Sequence, residues 1–298
     1  MAVESNAVLP RFPGFPDFQA NVTFVPLQFF TVVLPSSSRE CVRLVGYMIR
    51  RILGWVDTSG NPTCKQLQFS YRDLIREAGV SRETIADALR EAIAKGFIRC
   101  ARRPRAARRG QRAQSGVYEL NWDEEGPYTD SPDSLRGFYF PEAAVMTLDE
   151  HGRLVERVKA ARKNIPNAFF DFLLPQEPLS VIRVVGALLF YSIQWGKGGE
   201  RKVPVSLSIT ALSRLARLSR QHVHAAVKAA LDRGYITCTE PGYVDLHRGA
   251  NSRPAIYGVR WIHSSMDPLD NRHAIAIKLR TERSEMVNGK AVRKSERE

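Results

Sequence analysis

The stretch "FSYRDLIREAGVSRETIADALREAIAKGFI", residues 69–98, returns as "LSITALSRLARLSRQHVHAAVKAALDRGYI", residues 207–236. About a third of the aligned positions are identical, among them Ser70/Ser208, Leu74/Leu212, Ser81/Ser219, Arg82/Arg220 and Gly96/Gly234. Ser70 and Ser208 stand where the first helix of each stretch needs an N-cap, and Ser81 and Ser219 stand before the second. In that second helix Ile85, Leu89, Ala92 and Ile93, or Val223, Val227, Ala230 and Leu231, recur at helical spacing. Gly96 and Gly234 occupy the C′ position that stops it. Each stretch therefore predicts a short helix, a turn and a longer helix.

The repeat extends outward on both sides. "FFTVVLP" at 29–35 is echoed by "FFDFLLP" at 169–175, and "CVRLVGYMIRRILGW" at 41–55 by "VIRVVGALLFYSIQW" at 181–195. "VYELNW" at 117–122 matches "IYGVRW" at 256–261. The order is kept at a nearly constant offset of about 139 residues, so the chain holds two copies of one domain, 25–122 and 165–262. Within a copy the pattern predicts an extended apolar strand ending at Pro35 or Pro175, then a long helix. The core stripe of that helix is Val42, Val45, Met48, Ile49 and Ile52, or Ile182, Val185, Leu188, Leu189 and Ile193. A polar turn ("DTSGNPT" or "GKGGER"), a short strand ("LQF" or "VSL"), the helix pair and two strands joined by a loop complete it.

This arrangement resembles the winged helix-turn-helix domains of bacterial regulators. It is also similar to the N-terminal domains of plasmid and phage replication initiators, some of which carry two in tandem. The resemblance covers about two-thirds of the chain. The expected fold is mainly α with small β-ribbons (α+β), two tandem winged helix-turn-helix domains. Copy two departs from the pattern with Arg217 where Gly79 stands. Outside the copies lie an N-terminal extension (1–24), an acidic linker (123–164) and a charged tail (263–298) expected to be partly disordered. Within the linker, "LDEHGRLVERVKAARKNI" reads as a charged helix with an apolar stripe at Leu148, Leu154, Val155 and Val158.

Charge points to the partner. The formal net charge is +13, and the basic excess follows the two copies while the linker is net acidic. A polyanion is expected, with double-stranded DNA first. Cys41, Cys64, Cys100 and Cys238 are too scattered for a zinc site or a disulfide framework. No secretory leader and no apolar run long enough for a bilayer are expected, which predicts a cytoplasmic, nucleoid-associated protein with no membrane partner.

In a winged helix the third helix enters the major groove with the side chains its core stripe leaves free. Those are Arg220, Gln221, His224 and Lys228 in copy two, and Arg82, Thr84 and Arg90 in copy one, where Glu83 and Asp87 accompany them. Copy one adds "RCARRPRAARRGQR" at 99–112, a wing carrying Arg99, Arg102, Arg103, Arg105, Arg108, Arg109 and Arg112 and no acid. Arginines there suit phosphates or the minor groove. The second wing offers Arg248 and Arg253.

His222-Val223-His224 raises the question of a metal-dependent nuclease or relaxase. Two histidines at i, i+2 chelate from a strand, but on a helix they diverge by roughly 200°. No phosphate-binding loop, nucleophile elbow, H-E-x-x-H or paired-carboxylate motif is present. Catalytic residues, metal and cofactors are therefore all expected to be none. The expected role is occupancy of an operator or a replication origin, as transcriptional regulator or replication initiator of a plasmid, phage or other mobile element. A homodimer and the replication or transcription machinery are candidate further partners. The rival is a winged-helix scaffold for a protein complex, with a nuclease a distant third.

Overall fold

A computed structural model describes residues 12–16, 21–58, 62–106, 112–123, 133–139, 142–148, 154–160, 162–196, 199–243 and 253–262. The fold is α+β, with helices packed around small antiparallel sheets. Copy one runs β1 (Val22–Pro26), a π-helical turn (Phe29–Val33) continuing into α1 (Leu34–Ser36), α2 (Arg39–Leu53), β2 (Gln66–Gln68), α3 (Tyr71–Ala78), α4 (Ile85–Ala94), β3 (Ile98–Arg102) and β4 (Val117–Leu120). After β5 (Glu142–Leu148) and β6 (Leu154–Ala160) come the elements of copy two. They are β7 (Arg162–Pro166), a π-helical turn (Phe169–Leu173) with α5 (Leu174–Gln176), α6 (Leu179–Ser192), β8 (Ile193–Gly196), β9 (Gly199–Lys202), β10 (Val205–Leu207), α7 (Ile209–Ala216), α8 (Arg220–Asp232), β11 (Ile236–Glu240) and β12 (Ala255–Val259). Each copy closes on a three-stranded sheet, β2-β4-β3 or β10-β12-β11.

Two expectations are overturned. "FFTVVLP" and "FFDFLLP" are helical, not extended, and the strand of each copy lies just upstream. Phe29, Phe30, Val33 and Leu34 are all buried, and that i, i+1, i+4, i+5 stripe faces the other copy, so tertiary burial overrides the strand bias of the run. The charged linker helix is replaced by strands: β5 and β6 pair from Glu142–Ala160 to Leu148–Leu154, and β7 is captured by β1. The glycine of "DEHGR" disfavours a continuous helix there, and β1 offers distant ladder partners that no local pattern reveals. A smaller difference is that the polar stretch after α6 contributes to strands β8 and β9, which pair antiparallel from Ile193–Lys202 to Gly196–Gly199. The tail lies outside the described residues.

The two copies are related by a local twofold axis. β1 and β7 pair antiparallel with Val22 opposite Pro166, Phe24 opposite Asn164 and Pro26 opposite Arg162. Because Pro26 and Pro166 are equivalent, Phe24 meets its own counterpart and its neighbours pair crosswise. The helices repeat this reciprocity. Phe29 packs on Phe170 at 5.8 Å between ring centroids, and Phe30 on Phe169 at 6.0 Å. A Cβ on Gly46 would lie 2.3 Å from Leu174 Cδ2, and one on Gly186 would lie 2.5 Å from Leu34 Cδ2, so glycine permits both approaches.

Arg43 donates through Nε to the Leu174 carbonyl (2.9 Å) and through Nη2 to that of Glu177 (3.1 Å). Arg183 donates through Nε to the Leu34 carbonyl (2.9 Å) and through Nη2 to that of Ser37 (2.9 Å). Burial draws both guanidinium pKa values down, yet an arginine remains charged. The contact is an isologous interface folded within one chain, and one continuous hydrophobic core runs through both copies.

Two short straps cross between the copies. Phe12–Pro16, at the start of the chain, docks on copy two: Phe12 N donates to the Arg233 carbonyl (2.9 Å), Phe15 N to that of Arg260 (2.8 Å), and Ile262 N to that of Phe15 (2.8 Å). Residues 135–139 dock the same way on copy one, with Leu135 N to Lys95 O (2.8 Å), Phe138 N to Asn121 O (2.6 Å) and Asp123 N to Phe138 O (2.9 Å). The segment preceding each copy thus completes the ribbon of the other. Phe15 and Phe138 are fully buried.

Gly96 shows how tight the second docking is. Its φ is +73°, and a Cβ there would sit 1.8 Å from the Leu135 carbonyl oxygen. Gly96→Ala is expected to cost about 2–5 kcal/mol through the left-handed backbone and the clash together. Denaturant unfolding measures the cost, and hydrogen exchange at the Leu135 amide shows whether the strap leaves.

No helix among the described residues is long and apolar enough to cross a membrane. All four cysteines are free, and burial pushes the Cys41 thiol up to about 12.

Candidate nucleic-acid interface

The helix pair of copy one starts from a capping box. Ser70 Oγ accepts from Asp73 N (3.3 Å), while the Asp73 carboxylate accepts from Ser70 N (2.8 Å), which holds that carboxyl below its usual range. α3 ends at Gly79 with φ +66°, and α7 ends at Arg217 with φ +47°. Arg217 therefore adopts the same left-handed turn as its glycine counterpart. Its guanidinium pairs with Asp133, just ahead of the second strap.

α4 and α8 follow these turns. α8 buries Val223, Ala226, Val227 and Ala230 and leaves Arg220, Gln221, His224 and Lys228 exposed. At 100° per residue those four lie within one roughly 100° arc, so the structure brings together all the side chains expected of this helix. Ser219 caps α8, accepting from His222 N at 3.3 Å, and its Oγ lies 2.8 Å from His222 Nδ1. His222 is thereby turned to the cap and away from His224, and the residues between them are helical throughout.

α4 buries Ile85, Ala88, Leu89 and Ala92. Ala86 and Arg90 are exposed on it and Arg82 and Glu83 are exposed in the turn that precedes it, and these four are the sequence counterparts of His224, Lys228, Arg220 and Gln221. Two residues named on this helix are engaged elsewhere. Arg90 is paired with Asp87, and Thr84 Oγ1 lies 2.7 Å from Ser81 Oγ and donates to the Ser81 carbonyl (3.0 Å). Ser81 therefore holds the preceding turn instead of capping α4, which begins three residues later than its counterpart α8. Arg82 is the free cation of those four among the described residues.

The loop between β3 and β4 carries the strongest charge. The ribbon continues past both strands to Arg105 and Gln114, whose backbone groups exchange two 2.9 Å hydrogen bonds. Arg99 pairs across the strands with Glu119 (2.5 Å), and Arg102 donates to Gln68 Oε1 (3.3 Å), so these two are tied to the sheet. Arg103, Arg105 and Arg112 are exposed, with no pairing to a described side chain. Arg108 and Arg109 lie outside the described residues. In copy two Arg253 is exposed and bridges Tyr243 through the backbone, while Arg248 lies outside the described residues.

The chain matches no family model, curated protein or solved structure with which it was compared. Among the described residues no three His, Cys, Asp or Glu side chains converge as a metal site would require.

Residue patterns missed the straps, which bond the carbonyls of Arg233 and Lys95 at the C-terminal ends of α8 and α4. The straps "FPGF" and "LRGF" share a Gly-Phe pair, and that short echo is the signal that could have revealed them. The C-terminal ends of the helices are tied down by further unforeseen contacts. Ser38 N and the Lys95 ammonium both bond the Glu91 carboxylate (3.1 and 2.8 Å). In copy two the buried Glu177 accepts from Tyr235 OH (2.7 Å) and pairs with Arg233.

Proposed function

We propose that the two copies are winged helix-turn-helix domains and that the protein binds double-stranded DNA, occupying an operator or a replication origin. The observation that carries this reading is the pairing of equivalent exposed arcs on α4 and α8 with an arginine-rich ribbon beside one of them. α8 presents three potential cations or bidentate donors, Arg220, Gln221 and Lys228, a set suited to base edges in the major groove. The arginines at the tip of the copy-one ribbon supply sequence-independent contacts to phosphates. α3 and α7 hold these helices in place by the left-handed turns at Gly79 and Arg217.

Gel-shift titration of the full chain against duplex DNA tests the reading. With six or more phosphates contacted, affinity is expected to fall about 10³-fold or more between roughly 50 and 200 mM salt. Replacing Arg103, Arg105, Arg108, Arg109 and Arg112 together by alanine should weaken binding to every duplex and flatten the salt slope by roughly one unit per lost contact. Arg99 and Arg102 are left in place because the sheet uses them. Absence of binding to any duplex at low salt removes the proposal.

A further inference from the structure

We infer that one chain reads a single DNA site made of two unequal half-sites in inverted orientation. The inference rests on the DNA-binding reading above and adds the symmetry of the target to it.

The β1–β7 register, centred on Phe24 and its counterpart Asn164, relates the copies by a 180° rotation. The crossed Phe29–Phe170 and Phe30–Phe169 contacts and the reciprocal Arg43 and Arg183 bonds follow the same rotation. Helices related by a twofold axis meet duplex DNA on half-sites that run in opposite directions, just as the subunits of a dimeric repressor do. Direct repeats would need copies related by translation, which that register forbids. The relation is held firmly, because one core runs through both copies and each strap is anchored on the opposite ribbon. The turns that lead into α4 and α8 lie at this interface as well. Arg43 Nη1 donates to the Gly79 carbonyl (2.6 Å), and Arg183 Nη1 reaches the Ala216 and Arg217 carbonyls (both 3.4 Å). The two helices therefore start from fixed positions on either side of the axis.

The half-sites differ because the equivalent side chains differ. Arg82 and Arg220 are the same residue at equivalent positions of the sequence, and each would contact guanine, Arg220 from the first turn of α8 and Arg82 from the turn that precedes α4. At the next position Glu83 faces Gln221: a carboxylate accepts from the cytosine amine, whereas glutamine pairs with adenine. Ala86 stands for His224 and leaves its half with one contact fewer. A homodimer of one copy would read a perfect palindrome. This chain carries both halves of an imperfect one, and so it also sets the direction in which it lies on the DNA.

Selection with the full-length protein from a duplex library containing a long randomised core, at about 0.1 M salt, provides the test. Enriched sequences should contain two blocks in inverted orientation at one spacing, with one chain per duplex by native mass spectrometry. Reversing one block should weaken binding about tenfold or more. Gln221→Ala should relax base preference in one block only. Glu83→Gln, an exposed and nearly isosteric change, should shift the other block towards the first and make the selected site more symmetric. Circular dichroism confirms that both variants are folded. Blocks in direct orientation, two chains on the minimal site, or binding without any enrichment would each overturn the inference while leaving DNA binding intact. Failure to retain any duplex at low salt would remove the DNA-binding reading itself.

Discussion

Phe15→Ala is expected to lower the stability of the protein by about 3–5 kcal/mol, the usual range for truncating a fully buried phenylalanine. Phe15 is 0% exposed, contacts Phe12 at 4.8 Å and sits edge-on to Trp261 at 6.1 Å between ring centroids. The loss should register far from the substitution in sequence. The Ile262 amide donates to the Phe15 carbonyl, and the Phe15 amide bonds the Arg260 carbonyl, so both should lose hydrogen-exchange protection when the strap detaches. Phe138→Ala should cost a similar amount but expose the amide of Asp123, in copy one. If Phe15→Ala instead weakens only its own neighbourhood at the N-terminus, the strap does not hold the second ribbon in solution.

Arg43→Ala is expected to cost about 3–5 kcal/mol, because three carbonyls lose their donor at once in a site that excludes most water. Arg43 is 6% exposed and its fork spans Leu174, Gly79 and Glu177, two of them in the other copy. Arg43→Lys should recover little, since a single ammonium cannot reproduce the planar fork. Arg183→Ala should cost less, because Arg183 is half-buried and its Nη1 contacts are longer, at 3.4 Å. Urea unfolding of the three variants gives the order directly. A cost near 1 kcal/mol or below for Arg43→Ala would mean that apolar packing alone joins the copies.

These two expectations concern parts of the molecule that differ in how far the residues announce them. The helix pairs, the long helices and the two strands that follow them were legible because each depends on near neighbours, whereas the pairing of β2 with β4 and of β10 with β12 joins segments about 50 residues apart. Ser70 caps α3, Ser208 and Ser219 cap α7 and α8, and Gly96 and Gly234 adopt the positive φ that ends the helices before them. The stripe from Val42 to Ile52 is buried as its spacing requires. That stripe nevertheless described half of α2. Leu44, Gly46 and Tyr47 are buried outside that stripe, Gly46 against Leu174 of the second copy, and an apolar stripe along one face does not announce that a further face is covered.

The candidate site was legible to a similar degree. The exposed arc of α8 follows from its core stripe, so Arg220, Gln221, His224 and Lys228 could be named from periodicity. Which cations remain free was not. Arg90 and Asp87 lie one turn apart and neutralise each other, and Arg99 is matched to Glu119 by strand register. Thr84 looked available until the turn before α4 drew its hydroxyl to Ser81.

By itself the sequence determined that the chain is built twice from one pattern, that each copy offers a helix pair and a ribbon, and that the basic charge gathers on them. Capping, periodicity and composition act over a few residues, so they can be read along the chain. The tertiary structure alone decided that the copies face each other across a twofold axis, that "FFTVVLP" is helical, that the linker forms strands and that each strap closes the opposite ribbon. Those choices depend on which distant segments bury one another, as Phe24 finds Asn164 and Phe15 finds Trp261. That burial is a property of the assembled core and has no local pattern to announce it.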